Sequence, residues 1–493
     1  MGKQSGGMMV ICATWLATGV LLPAQEIPNM PGMSQEHAQH QHMESHILQP
    51  SFPRMGRAQE QAAGKLFTLE QAQRLATEAN PTLRQAAAEI HAGQARQQQS
   101  GLYPNPTVGY TGDEIRGGSV GGGKQGFFVQ QTIVTGGKLG NNRAVLSKEA
   151  QIAAIEAEEQ KVRVETSIET TYMRVLAAQE LLDVSRELAK IAQDFSEAQR
   201  QLANTGQADE TEVLQTEIAA RRARLAAHMQ ENSLLEEWRS LTALIGKPEM
   251  PLMVVSGHID AGWPEINEEQ MAENLAAESP ASRIAVVNVA KADAEITRAR
   301  RAAIPDVELR GGLIYNNELL GTVPHAKGWE GIAEAGVQLP IFNRNQGNIS
   351  SAQAELDRAK LETQRVALTL RQRATSVLDE YASARMMAVE YHAELLPRAR
   401  KAYELMYEKY GQMLASYPRV MESQRNLYDL QWEYIRALES VWTTGIALKG
   451  FLLTDGLEAP ARPGEVDRPV RELNVPVPEI PGAGLTPTGI SHP

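Results

Sequence analysis

Apolar residues recur three and four positions apart through residues 141–205, among them Val145, Ile152, Ile155, Val162, Ile168, Tyr172, Val175, Leu182, Leu188, Ile191, Phe195 and Leu202. This period is helical, no glycine or proline interrupts it, and Gly140 and Gly206 bound it. At 1.5 Å of rise per residue the predicted helix is roughly 100 Å long, more than a compact domain or a bilayer requires. Such a helix is a coiled-coil rod or the wall of a tall structure. Residues 348–410 repeat the pattern between Gly347 and Gly411, with Pro397 expected to bend the helix locally.

The repetition extends beyond the long helices. Gln131 and Gln338, Gly140 and Gly347, Ala208 and Ala415, and Val213 and Val420 share an offset of 207, whereas Pro81 and Pro280, Arg84 and Arg283, and Pro106 and Pro305 share one of 199. The difference is one insertion between Val307 and Gln338, and the chain is two repeats, 66–250 and 265–455. Thr68 and Gln71 form a capping box that opens a helix predicted to continue to about Tyr103, where Pro104 and Pro106 stop it. The period then changes to two, over about 106–134 in the first repeat and 305–341 in the second, which predicts a hairpin in each. In the second, Val307, Leu309, Val337 and Leu339 alternate with Glu308, Arg310, Glu334 and Gln338. The extra residues fall in its loop, between Asn316 and Gly328. After each long helix a tight turn leads to a shorter helix, 209–245 and about 416–453. Both strand hairpins therefore lie at one end of the helices and both helix turns at the other.

Charge and composition narrow the functional classes. Sixty acidic against 48 basic residues give a net charge of −12, without the basic blocks a nucleic-acid partner needs. The apolar run 8–22 follows Lys3 and ends at Pro23 and Ala24, the layout of a signal peptide (1–24) with cleavage after Ala24. The single cysteine, Cys12, leaves with it, so disulfides and thiolate chemistry are not expected in the mature chain. Residues 25–65 are polar and carry His37, His40, His42 and His46 with Met30, Met33 and Met43. Thioether and imidazole ligands suit copper or silver, which makes this segment a candidate metal-collecting tail; a disordered linker of biased composition is the alternative. The Pro-rich tail, 456–493, is expected to run extended. Isolated histidines and no nucleophile, base and orienter in a recognisable set argue against an enzyme, and no cofactor is expected.

Four strands with one apolar face cannot stand open in a bilayer, so either several chains share one closed barrel or the hairpins form a soluble cap on a coiled coil. The twofold repeat, the Asn80-Pro81 and Ser279-Pro280 steps, and the run from Leu339 through Pro340, Ile341, Phe342, Asn343, Arg344, Asn345, Gln346 and Gly347 to Asn348 resemble the TolC outer-membrane efflux family. The run is most similar to the family's CzcC and CusC heavy-metal branch. The resemblance implies a mainly α fold with a small β part, in which two-repeat helical hairpins form an α-barrel and four strands per chain join a shared trimeric transmembrane β-barrel. It implies a homotrimer in outer-membrane lipid, extending into the periplasm. Its tips would dock a periplasmic adaptor, a membrane fusion protein, fed by an inner-membrane RND-type pump.

By the same resemblance the helix turns form a gate at the periplasmic tip. Tyr410 occupies the family's tyrosine position, and Glu212 and Glu422 fall at acidic positions. Arg419 stands where an aspartate is common, while Asp209 and Glu210 keep the tips acidic. Ordinary solvated acids at helix starts are the competing explanation. Ile11 before Cys12 departs from the family's lipidation signal, so no lipid anchor is expected. The implied function is a passive exit duct for heavy-metal cations such as copper, silver, cobalt, zinc or cadmium. The alternatives are a duct for drugs or a secreted polypeptide, and, in another class, a periplasmic coiled-coil adaptor or scaffold.

Overall fold

A computed structural model describes residues 52–53, 55–61, 66–113, 115, 123–317 and 328–460, all within the compact unit Ser51–Pro493. The signal segment, the seven His/Met positions, much of both strand loops and residues 461–493 lie outside the described residues.

The chain begins with a one-turn helix, α1 (Arg57–Gln61). The first repeat then runs α2 (Leu69–Ala79), α3 (Pro81–Ser100), β1 (Thr107–Asp113), β2 (Lys124–Ile133), α4 (Lys138–Asn204) and α5 (Glu210–Ile245). The second runs α6 (Glu268–Glu278), α7 (Pro280–Ala302), β3 (Val307–Asn316), β4 (Gly328–Val337) and α8 (Gln346–Glu390). A π turn (Tyr391–Leu395), α9 (Leu396–Gly411) and α10 (Tyr417–Lys449) complete it.

Thr68 and Gln71 make the reciprocal capping box that opens α2. The helix predicted to reach Tyr103 is instead two helices that end at Ser100. Pro81 has no N–H to donate, Asn80 is extended (φ −63°, ψ 124°), and its side chain accepts from Thr82 N to cap α3. Asn80 is fully buried, and its amide also donates to the Leu244 carbonyl at the end of α5 (2.8 Å). Ser279 and Pro280 break α6 from α7 in the same way.

The long helix α4 runs unbroken and ends in a Schellman motif: Gly206 takes φ 78°, Gly206 N donates to Ala203 O and Gln207 N to Leu202 O. Its counterpart is interrupted by the π turn just before Pro397, whose ring excludes the carbonyl four residues earlier. The second tip differs from expectation. Gly411 is still helical, and the same motif closes on Met413, at φ 58°, with Met413 N donating to Tyr410 O and Leu414 N to Lys409 O. The last helix stops at Lys449, short of 453, because Phe451 and Leu452 also turn left-handed.

All four strands form one antiparallel sheet in the order β1-β2-β3-β4. Below it, α3, α4, α7 and α8 lie side by side in that order; nearer the tips the order is α5, α4, α10, then α8 and α9. The main core, where the levels meet, buries Tyr172, Trp238, Leu241, Ile245, Ile435 and Leu438. The segment between repeats is fastened across it: Gln179 Oε1 accepts from Val255 N (3.1 Å), Trp442 Nε1 donates to Ile259 O (2.8 Å), and the Tyr381 hydroxyl donates to Pro264 O. At the other end of the chain, Arg163 holds Glu458 (3.1 Å).

Candidate membrane sheet and tip gate

Strand register sorts the side chains onto two faces. Val307 pairs with Val337 and Ile133, Leu313 with Phe127, and Tyr315 with Trp329. Val108 and Tyr110 lie opposite Val129 and Phe127 on the same face. That face is apolar and exposed from Val337 to Trp329. Near the loop end it carries two edge-to-face pairs, Tyr110 with Phe127 (5.7 Å) and Tyr315 with Trp329 (5.5 Å), in the manner of an aromatic girdle. The other face is polar: Arg310 lies opposite Glu334 (3.5 Å) and over the Phe128 ring (4.0 Å), and Asn316 donates to Glu330 (2.6 Å). The three longer strands have ten residues each, about 33 Å of chain. At a 45° tilt that is close to the roughly 25 Å height of a membrane-barrel apolar band. Among the described residues no helix is long and apolar enough to cross a membrane.

At the other end the two helix turns meet. Phe195 of α4 packs on Tyr417 at the start of α10 (4.5 Å), and Tyr417 faces Tyr410 of α9 (6.4 Å). Burial raises the Tyr410 hydroxyl pKa, and the Glu212 carboxylate on the other hairpin adds to it. Tyr403, deeper in the same column, is pushed up to about 12 by burial. Asp209, Glu210, Glu212, Glu422 and Arg419 are all exposed. Asp209 and Ser416 are the N-caps of α5 and α10, and neither makes a side-chain cap bond. Among the described residues Arg419 forms no ion pair within the chain. Met413, which pattern alone did not single out, is 94% exposed at the second tip in a conformation a β-carbon disfavours. No group of three or more His, Cys, Asp or Glu suited to a metal occurs among the described residues.

A sheet with one lipid-compatible face, set on paired long helices that close at aromatic and acidic turns, has the architecture of a two-repeat efflux channel. The family model "Outer membrane efflux protein" matches residues 72–247 and 271–452, and the chain belongs to that family. It is a transport family, not one of enzymes. The chain is similar to the cobalt-zinc-cadmium resistance protein CzcC of Cupriavidus metallidurans, with 23% identity over 82% of this chain and 92% of that one. Its fold is similar to the transmembrane channel CusC (TM-score 0.65, 15% identity, 88% of this chain and 99% of that one). It is also similar to the outer membrane protein VceC of Vibrio cholerae (TM-score 0.63, 16% identity, 78% and 96%).

Proposed function

We propose that the chain is the outer-membrane duct of a tripartite efflux system, a passive exit for heavy-metal cations such as copper, silver, cobalt, zinc or cadmium. The observation that carries it is the pair of open edges. Among the described residues, strand β1 has no partner on one side and β4 none on the other, and α5 and α9 have no helix neighbour at the corresponding sides below. The α5 side exposes Leu214, Ile218, Leu225 and Met229, one stripe of the helix. The α8 side exposes Leu361 and Leu368. Edges of this kind close head to tail into a ring; three chains give twelve strands, with lipid outside and a polar lumen inside. A periplasmic adaptor and an inner-membrane RND-type pump complete the system, and the cargo class follows from the likeness to CzcC.

At the tips, rings of like carboxylates repel unless cations intervene. Arg419 then serves as that cation, paired with Glu422, Glu212 or Asp209 of a neighbouring chain, and Tyr410 lines the same constriction. The His/Met segment collects metal ahead of the duct. The test joins assembly to cargo: a purified trimer that conducts in planar bilayers, and a deletion strain screened on copper, silver, zinc, cobalt, cadmium and antibiotics. A monomer that neither trimerises nor conducts ends the duct, and sensitivity to antibiotics alone transfers the cargo to drugs. For the gate, Arg419→Ala and Tyr410→Phe raise conductance; unchanged conductance in both and in their double variant rejects the lock.

A further inference from the structure

We propose that the described residues between 52 and 61, namely 52–53 and 55–61, are a brace that ties the second helical hairpin, α9 and α10, to the first long helix α4, and that the second tip swings only when this brace lets go. The brace has anchors on three parts of the chain. On α4, both Glu180 carboxylate oxygens accept from Gly56 N (3.0 and 2.8 Å), Asp183 Oδ2 accepts from Ala58 N (2.8 Å), and Arg57 faces Glu187 (3.6 Å). On the segment between repeats, Gln59 exchanges two hydrogen bonds with Gly257, donating at 2.7 Å and accepting at 3.3 Å. On α9, the Phe52 ring meets Tyr403 edge-on at 5.8 Å, with the Arg400 guanidinium 5.5 Å away.

These anchors lie on opposite sides of a hinge. The π turn at Tyr391–Leu395 interrupts α8 and α9, and Phe52 docks beyond it, on the part the proposal makes mobile. Helix α9 packs on α10 and α10 on α4, so residues 52–61 bridge two helices separated by a third. Release is costly at the α4 end. Glu180 is only 3% exposed, and burial raises its pKa to about 7, so a departing brace would strip a desolvated carboxyl of its amide donor, Gly56 N. At the α9 end the bond is an aromatic contact, weaker and easier to break. The brace is therefore firm on the first hairpin and releasable from the second.

This goes beyond the duct itself, and its test does not depend on conduction. Hydrogen exchange of the full-length protein is followed at the α9–α10 turn and, as an internal control, at the α4–α5 turn. Phe52→Ala and Asp183→Ala, which removes the acceptor of the Ala58 N–H, are each expected to speed exchange about tenfold at the second tip and leave the first unchanged. Their double variant should match the faster single one, since each breaks the same link. Phe52→Leu should restore most of the protection. Unchanged exchange at the second tip, equal acceleration at both tips, or additive effects in the double variant would overturn the brace. If Phe52→Ala fails to fold, Asp183→Ala decides. A wild-type protein that does not conduct counts against the duct alone, because the exchange result is read independently.

Discussion

Arginine at Leu313 separates the two faces of the sheet most sharply. Leu313 is 61% exposed on the apolar face, beside Phe127 of β2 and opposite Gly331 of β4. It stands one to two residues from the middle of β3, which at barrel tilt is roughly 4 Å from mid-height. Arginine near a bilayer midplane costs about 2–4 kcal/mol on a lipid-facing site. At 1.4 kcal/mol per decade that is roughly thirty- to several-hundredfold in each chain's membrane-inserted fraction, compounded by three copies in one barrel. Ile332, at similar depth on the polar face opposite Gly312, is the matched control, and Ile332→Arg should be nearly neutral. The assay is the yield of heat-modifiable trimer in outer-membrane fractions, with unfolding in urea as a second measure. Equal yields for Leu313→Arg and Ile332→Arg would refute the assignment of lipid to one face and water to the other.

Asn80→Ala leaves Leu244 O and Thr82 N without their buried partner and should lower stability by about 1–3 kcal/mol in denaturant titration. Met413→Gly relieves a left-handed non-glycine and should stabilise the second tip by about 1 kcal/mol, read as slower local exchange. The Glu180 pKa is raised from its ordinary 4.5 to about 7, chiefly by burial, with Asp183 and Asp260 adding to it. The native state therefore holds a proton that the unfolded chain has lost, and this contribution is complete below 4.5 and gone above 7. In Glu180→Gln the fall in melting temperature from pH 5 to 7 should be flatter than in wild type; identical slopes exclude Glu180 as its source. Deleting residues 30–46 should weaken copper or silver tolerance without blocking assembly, and unchanged tolerance to both metals makes the segment a linker.

Long-period features were the legible ones. The 3.6-residue pattern of α4 and the constant offsets revealed the helices and their duplication, and alternation placed Arg310 and Glu334 on one face and Val307 and Val337 on the other. Local backbone chemistry was misjudged where a single residue decides it. Pro81 divides a helix whose apolar period continues across the break, and Met413 takes the turn position that Gly411 was expected to mark. Residues 52–61 have no usable period, and their partners lie more than a hundred positions away. The signal for them was Glu180, a carboxylate between Leu176 and Leu181 on an otherwise apolar stretch. Contacts of Arg419 were beyond reach for another reason, since the described residues of one chain hold no ion partner for it.

The unbroken α4 and the π-interrupted α8 and α9 occupy equivalent places in the two repeats. Were the repeats identical, three chains would present six interchangeable hairpins, a sixfold wheel in which any motion involved all spokes at once. In the proposed trimer Pro397 would lower that symmetry to threefold, with continuous and π-interrupted hairpins alternating around the axis. Such a ring need not dilate uniformly. If the tips open as proposed, it would widen by folding back every second spoke while its neighbours keep the wall standing.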